Sequence, residues 1–190
     1  MNVLEGFPGW AIALIIVGAL LLICILWWIS TSNTLYRMTI KIDEAESGID
    51  VALTKRYDLL TKSLAVVKGY AKHESETLEK VVSMRNPGKT MAEKNEFASQ
   101  TNQAFERLNV VVEQYPQLKA DTQFTALQNN IADVEEQLQA ARRLYNSNVS
   151  VYNQKIGVFP SSIVANAKHY TKRDMFEAES QKRQDVKMEF

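Results

Sequence analysis

Residues 10–29 read WAIALIIVGALLLICILWWI, and this apolar stretch decides how the rest of the chain is interpreted. It contains no charged residue, and as a helix it would be about 30 Å long, which matches the hydrocarbon core of a bilayer. Indole rings favour the headgroup level of a membrane, and tryptophans stand at both edges of the stretch. The stretch therefore predicts a single transmembrane helix with Trp10 at one interface and Trp27 and Trp28 at the other.

Two other interpretations of the stretch fit less well. A buried core helix of this length is rarely apolar on every side. A cleaved signal peptide needs a basic N-terminal flank, a shorter apolar core and small residues at the cleavage site. The flank MNVLEGFPG has no Lys or Arg, and tryptophans stand where small residues would be required. Cys24, within the stretch, is interpreted as a small apolar filler rather than a reactive thiol.

The charges on either side of the stretch predict its orientation. The N-terminal flank carries Glu5 and no basic side chain, whereas Arg37 and Lys41 follow the stretch. Basic residues near a span are retained on the cytoplasmic side of the membrane. We therefore expect residues 1–9 to form a short extracytoplasmic tail, with the C-terminal part of the chain in the cytoplasm.

The composition of the whole chain argues against several classes of protein. Its 190 residues include 22 Lys and Arg against 22 Asp and Glu. A general nucleic-acid-binding protein usually has a basic excess, so we expect no nucleic-acid partner. A single cysteine excludes an internal disulfide and a cysteine-built zinc site, and two histidines make another transition-metal site improbable.

The residues after the stretch have the periodicity of long amphipathic helices. A proline inside a helix costs about 3 kcal/mol, so prolines tend to mark helix ends. Three prolines stand here among turn residues: Pro87, Pro116 and Pro160. The segments between them predict helices over about 31–85, 90–115 and 121–157.

Local signals refine these helices. Thr90 and Glu93 have the spacing of a capping box at the start of the second helix. Apolar residues after Pro160 predict a short fourth helix from Ile163 to about Glu179. The predicted fold class is therefore all-α, with a single N-terminal transmembrane helix followed by an antiparallel bundle of three long helices plus a short fourth helix.

Three features of this bundle leave alternatives open. Thr31-Ser32-Asn33 is the one plausible break between the membrane helix and the first bundle helix, because short polar side chains compete for backbone hydrogen bonds. The third helix has a heptad seam from Phe124 to Tyr152, on which Asn148 could fix the register of a coiled coil. The first bundle helix is longer than the others, so its first turns should form a stalk or pair with another subunit, which favours self-association.

Motifs of enzymes and cofactor-binding proteins are incomplete. His73-Glu74 begins a zinc-protease motif, but Thr77 stands at the place of the second histidine. Gly88-Lys89-Thr90 copies the end of a phosphate-binding loop, but the earlier glycine is replaced by Ser83. No convergent acid, base and nucleophile is recognisable, so we expect no enzymatic activity, no metal and no cofactor.

Taken together, these stretches resemble the LemA family over nearly the whole chain. The most specific local feature is the pair of Tyr-Asn units, Tyr145-Asn146 and Tyr152-Asn153, which are seven residues apart. The family tends to have a proline and an asparagine where this chain has Thr61 and Ser63. The stretches that carry the resemblance are IDVALTKRYDLL (49–60), VKGYAKHE (67–74), QYPQLKADTQFTALQ (114–128), ARRLYNSNVSVYN (141–153), FPSSIVA (159–165) and MFE (175–177).

The resemblance implies a bacterial, membrane-anchored helical bundle with no established enzymatic activity. On this basis residues 10–29 would cross the bacterial inner (plasma) membrane once. Residues 30–179 would form the LemA-like bundle and residues 180–190 a C-terminal tail.

The polar residues within the resembling stretches lead to a hypothesis about the bundle. They could form a polar network that fixes helix register or offers a docking surface, and a buried network is tolerated only when nearly all of it is hydrogen-bonded. The residues of this hypothetical network are Asp50, Lys55, Arg56, Asp58, Tyr70, Tyr145, Asn146, Tyr152 and Asn153.

Two functions follow as hypotheses. The first is a membrane-anchored, non-enzymatic scaffold or adaptor that acts through protein–protein contacts or self-assembly at the bacterial membrane. Its expected partners are membrane lipid, copies of itself in a homo-oligomer, and other membrane or cytoplasmic proteins. The alternative is an envelope-spanning or lytic-type factor with a periplasmic coiled-coil arm. That alternative needs the opposite orientation, which the Lys and Arg pattern opposes.

Overall fold

A computed structural model describes residues 8–70 and 87–176, and within those residues it contains helices and no strand. The all-α prediction is confirmed. Expectations about residues 1–7, 71–86 and 177–190 lie outside the described residues, including those about His73-Glu74 and the C-terminal tail. The helices are α1 (Gly9–Tyr70), α2 (Met91–Gln114), α3 (Pro116–Lys119), α4 (Thr122–Gly157) and α5 (Ser161–Ala167).

Helix α1 is uninterrupted over 62 residues, so the predicted membrane helix and the first bundle helix are one element. Thr31-Ser32-Asn33 does not break it. The hydroxyl of nearby Thr34 donates to the carbonyl oxygen of Ser30 at 2.9 Å, one helical turn earlier. This bond lies within the helix, so the polar side chain finds a backbone partner while the helix continues.

The start of α2 has the predicted capping box. Thr90 Oγ1 accepts a hydrogen bond from the backbone N–H of Glu93 at 3.2 Å, and Glu93 Oε2 accepts one from the N–H of Thr90 at 2.9 Å. Gly88 precedes them with φ +84°, a conformation that glycine adopts without steric cost. A Cβ at this position would lie 2.3 Å from the Cβ of Glu93, so the turn requires glycine.

Helix α4 has its predicted limits. Asp121 caps its start, because Asp121 Oδ1 accepts the backbone N–H groups of Gln123 at 2.7 Å and Phe124 at 3.1 Å. The helix ends at Gly157, which is a natural helix stop.

The fourth predicted helix is shorter than expected. Helix α5 ends at Ala167 rather than near Glu179, and residues 170–176 are not helical. His169 follows α5 with φ +57°. Its N–H donates to Asn166 O, and the N–H of Tyr170 donates to Ala165 O at 3.0 Å. These two bonds form the Schellman pattern that closes helix C-termini, and the left-handed residue turns the chain away from the helix axis.

The chain divides into two compact units. Of the described residues, we call 8–40 and 151–172 the anchor unit, and 41–70, 87–150 and 173–176 the bundle unit.

In the bundle unit, α2 runs parallel to α1 and α4 runs antiparallel to it. Lys94, near the start of α2, contacts Glu46, while Phe105, later in α2, contacts Arg56, later in α1. In α4 the order is reversed, because Glu135 contacts Arg56 whereas Asn148 donates to the carbonyl oxygen of Lys41 at 3.1 Å. The antiparallel expectation therefore holds for α1 and α4 but not for α2, which begins beside the middle of α1.

The core of the bundle unit combines residues from α1, α2, α3 and the start of α4. Leu60, Leu108 and Leu118 are almost completely buried in it. Burying each such side chain contributes roughly 2 kcal/mol to folding. The full cluster is Leu60, Leu64, Val67, Ala104, Phe105, Leu108, Val112, Leu118 and Phe124.

In the anchor unit, the turns of α1 that follow the apolar stretch are covered by the chain itself. Thr31, Ser32 and Leu35 are buried. The ammonium group of Lys168, just after α5, donates to the hydroxyl of Ser32. The expectation that these turns form an unpaired stalk is therefore wrong, because residues far along the sequence pack on them.

Candidate functional site

The apolar stretch of α1 has the properties of a membrane span. Helix α1 is long and apolar enough to cross a bilayer, and none of the residues in its most apolar stretch is buried. All three predicted interface tryptophans are exposed. Trp10 and Trp27 are 17 residues apart, so they are separated by about 26 Å along the helix axis. That spacing places indole rings close to both faces of a hydrocarbon core.

Lys94 forms a buried ion-pair site between α1 and α2. The lysine is only 3% exposed, and its ammonium group lies 2.8 Å from Glu46 Oε1 and 2.7 Å from Asp50 Oδ1. Burial alone would lower the pKa of Lys94, but the hydrogen bonds and charges of Asp50 and Glu46 outweigh it and hold that pKa above its usual value. The lysine therefore stays charged and joins the two helices.

Arg56 forms a second charged contact at the centre of the bundle unit. Its side chain is buried, and its Nη2 lies 3.0 Å from Glu135 Oε2 of α4. The guanidinium carbon also stands 5.2 Å from the centre of the Phe105 ring of α2. Planar guanidinium groups stack on aromatic faces and pair with carboxylates, so Arg56 links three helices at one point.

A cleft of about 570 Å³ opens beside Arg56. Phe105, Ile131 and Ala132 supply apolar surface to it, while the rest of its wall is polar or charged. The polar and charged lining residues are Arg56, Asn102, Glu106, Asn109, Gln128, Glu135, Gln139 and Arg142. Amides and charges of both signs suit a polar ligand or a polar segment of another protein.

Tyr145 and Asn146 hold the end of the described chain against α4. The hydroxyl of Tyr145 donates to Asp174 O at 2.9 Å. The amide of Asn146 both donates to Phe176 O and accepts the Phe176 N–H, at 2.9 and 2.8 Å. Burial, with the negative charges of Glu46, Asp174 and Asp43, raises the pKa of Tyr145 to about 12. The guanidinium of Arg142 covers the Phe176 ring at 4.4 Å.

Tyr70 lies at the end of α1 and contacts the start of α4. Its hydroxyl donates to Asp121 Oδ2 at 2.9 Å. The N–H of Phe124 and the Tyr70 hydroxyl lower the pKa of Asp121, while the hydrogen bond to Asp121 raises the pKa of Tyr70. The contact fixes the cap of α4 to α1.

The remaining residues of the hypothetical network have different surroundings. Lys55 and Asp58 are exposed on α1. In the anchor unit, Tyr152 is buried, its hydroxyl donates to Thr171 O at 3.0 Å, and its ring meets Tyr170 edge-on. Asn153 is half-buried. A single network that joins all nine residues stays a prediction.

Several residues of these contacts are absent from the sequence-based list, notably Lys94, Glu46, Glu135 and Asp121. Lys94 had a recognisable signal, because it stands in the apolar stripe of α2 between Met91 and Phe97. A charged residue in such a stripe is expected to find a buried partner. The partner itself depends on the parallel direction of α2, which no local pattern indicates.

Two comparisons with known proteins match the chain to one family. The model of the LemA family matches residues 45–190, which begin within α1 after the apolar stretch. Protein LemA of Metamycoplasma hominis is 30% identical over 163 residues, which cover 84% of this chain and 74% of that relative. Both the extent of the family match and the coverage of this relative lead to one assignment: the chain belongs to the LemA family.

Proposed function

We propose that the chain is a non-enzymatic, membrane-anchored scaffold that presents its helical bundle to partner proteins at a bacterial membrane. The observation that carries this proposal is the continuity of α1, which runs for 62 residues from the apolar stretch into the bundle core. The apolar stretch and the first helix of the bundle therefore belong to one helical element, with no loop between them along α1. Such a connection suits a protein that holds a binding surface at a defined place on the membrane.

The buried ion pairs of the bundle unit support the same proposal. Among the residues that the structure describes, the buried basic side chains are Arg56 and Lys94, and both pair with carboxylates on neighbouring helices. These pairs set helix position. The surface most suited to a partner is the cleft beside Arg56, where amide groups and charges of both signs offer specific hydrogen bonds.

We further propose that the bundle unit lies in the cytoplasm at the inner membrane. Arg37 and Lys41 follow the apolar stretch, and the first acidic residue after it is Asp43. Basic residues close to a span favour the cytoplasmic side.

Photo-crosslinking in native membranes tests the scaffold proposal. A photoreactive amino acid at Asn109, which lines the cleft, should give adducts of one or a few defined masses. An adduct of twice the 21.6 kDa chain mass would identify a second copy as the partner. The matched control is the same amino acid at exposed Lys62 of α1. Equal or absent crosslinking at both positions would contradict the proposal.

A further inference from the structure

The turn between α4 and α5 presents apolar side chains outwards. Phe159 is 80% exposed, and Val158 and Ile163 are 53% and 50% exposed. The turn is held in shape by Ser161, a buried residue whose hydroxyl contacts Lys155 O at 2.6 Å and Val158 O at 3.0 Å. We call these three apolar residues the tip. A phenylalanine and two branched aliphatic residues exposed on one turn offer an apolar contact surface to an apolar partner.

The tip belongs to the same unit as the end of the apolar stretch. In this unit the ammonium group of Lys168 donates to the hydroxyl of Ser32, and both Thr31 and Ser32 are buried. Ser32 is only four residues beyond Trp28, which is about 6 Å along the helix axis. The segment that carries the tip is therefore packed on α1 close to the level of the interface tryptophans.

The charge around the tip has one sign. The sequence of residues 30–40 and 151–172 contains no Asp or Glu. It contains Arg37, Lys155, Lys168 and Lys172. Three of these four basic residues are distant from the apolar stretch in sequence, and the fold brings them into the unit that contains it. The whole chain, in contrast, has no net charge, so this unit concentrates positive charge beside the span.

We propose that the tip inserts into the headgroup region of the leaflet at which α1 leaves the membrane, and that the surrounding basic residues bind anionic lipid headgroups there. An apolar face bordered by Lys and Arg is the pattern of segments that lie in a membrane interface, typically about 5–10 Å deep. Lipid is favoured over a protein partner because the tip lies in the unit that contains the candidate span, and because the basic residues of that unit complement anionic headgroups. This proposal rests on the proposed function only in requiring that α1 spans the membrane.

Depth-dependent fluorescence quenching tests the proposal on the full chain. Replacing the only cysteine by Cys24→Ser gives a background for single labels at Val158→Cys in the tip, Val17→Cys in the span and Val110→Cys in the bundle unit. Each protein is labelled with a polarity-sensitive dye and reconstituted in vesicles of phosphatidylcholine and phosphatidylglycerol. The vesicles contain lipids with a quencher at the headgroup or deep in the acyl chain.

The proposal predicts that the dye at position 158 is quenched at least about twofold by the headgroup quencher, as expected for interfacial insertion. The dye at position 17 should be quenched by the deep quencher, and the dye at position 110 by neither. Adding Phe159→Asp to the Val158→Cys protein should remove the quenching at position 158. In vesicles of phosphatidylcholine alone, that quenching should be weaker, because the anionic headgroups are absent.

The remaining outcomes would each overturn a defined claim. Quenching at position 17 without quenching at position 158 would disprove insertion of the tip and leave the membrane span intact. Equal quenching at positions 158 and 110, or quenching that survives Phe159→Asp, would also disprove it. Equal quenching in both lipid mixtures would disprove the role of the basic residues. Absence of quenching at position 17 would instead contradict the membrane anchor itself.

Discussion

The anchor unit and the bundle unit differ in whether their apolar side chains are buried and in whether their basic residues are accompanied by acidic ones. In the bundle unit Leu60 and Leu108 are buried, and buried Arg56 and Lys94 pair with carboxylates. In the anchor unit the apolar stretch and Phe159 face outwards, and the residues after the stretch include basic but no acidic side chains. The bundle unit therefore places buried apolar and charged groups in contact with other parts of the chain. The anchor unit leaves apolar side chains exposed and carries basic side chains in the same unit, which suits the lipid surrounding that we propose.

The largest loss of stability is expected when one buried side chain is removed from the bundle core. Leu108→Ala should lower the free energy of unfolding by about 2–5 kcal/mol, because it leaves a cavity among fully buried neighbours. Urea denaturation followed by circular dichroism in mild detergent measures the loss. The control is Val110→Ala on the same helix, which is exposed and should change stability by less than about 0.5 kcal/mol.

The same measurement on an exposed side chain of the anchor unit should show almost no loss of stability. Phe159→Ala should leave the free energy of unfolding in detergent nearly unchanged, because the ring is exposed. A loss as large as that of Leu108→Ala would mean that Phe159 belongs to a protein core, and the contrast between the two units would fail.

A second prediction concerns the buried charge of the bundle unit. Lys94→Met should destabilise the chain by about 3 kcal/mol, because it leaves Glu46 and Asp50 close together without their shared cation. Lys62→Met, an exposed lysine of α1, is the control and should have little effect. If both variants unfold at the same urea concentration, Lys94 is not the ion-pair centre that joins α1 and α2.

A third prediction concerns the contact that holds residues 174–176 on α4. Asn146→Ala removes both hydrogen bonds to the Phe176 backbone and should cost about 1–2 kcal/mol. The amide of Phe176 should then exchange with deuterium much faster, whereas amides in the middle of α2 should keep their protection. Asn130→Ala, exposed on the same helix, should leave the exchange of Phe176 unchanged.

A fourth prediction concerns a small dependence of stability on acidic pH. Hydrogen bonds from the Phe124 N–H and the Tyr70 hydroxyl lower the pKa of Asp121 in the folded chain. Its contribution to stability is therefore complete above the unfolded pKa of about 4, and is lost as pH falls through the lower folded value. Asp121→Asn should flatten the decline of the urea midpoint at acidic pH. Asp133→Asn, exposed on the same helix, should leave that decline close to its original slope.

Features with a local cause could be predicted from the sequence. The Thr90 and Glu93 capping box needs only two residues at the correct spacing, and Asp121 and Gly157 mark the limits of α4 in the same local way. The end of α5 could not be predicted, because it depends on His169 in a left-handed conformation that histidine seldom adopts.

Features that depend on distant residues needed the three-dimensional structure. The first turns after the apolar stretch contact Lys168, far along the sequence, so periodicity alone wrongly suggested a stalk. The ion pairs of Lys94 depend on the direction of α2, and the concentration of basic residues around the tip depends on how residues 151–172 pack on α1.

The most direct test of the central claim is to locate the C-terminal end of the chain in living bacteria. Alkaline phosphatase, which is active only outside the cytoplasm, and green fluorescent protein, which fluoresces only inside it, are each fused after Phe190. A single membrane span with a cytoplasmic bundle predicts bright fluorescence and inactive phosphatase. Active phosphatase with dark fluorescent protein would contradict the account and would favour the envelope-spanning alternative.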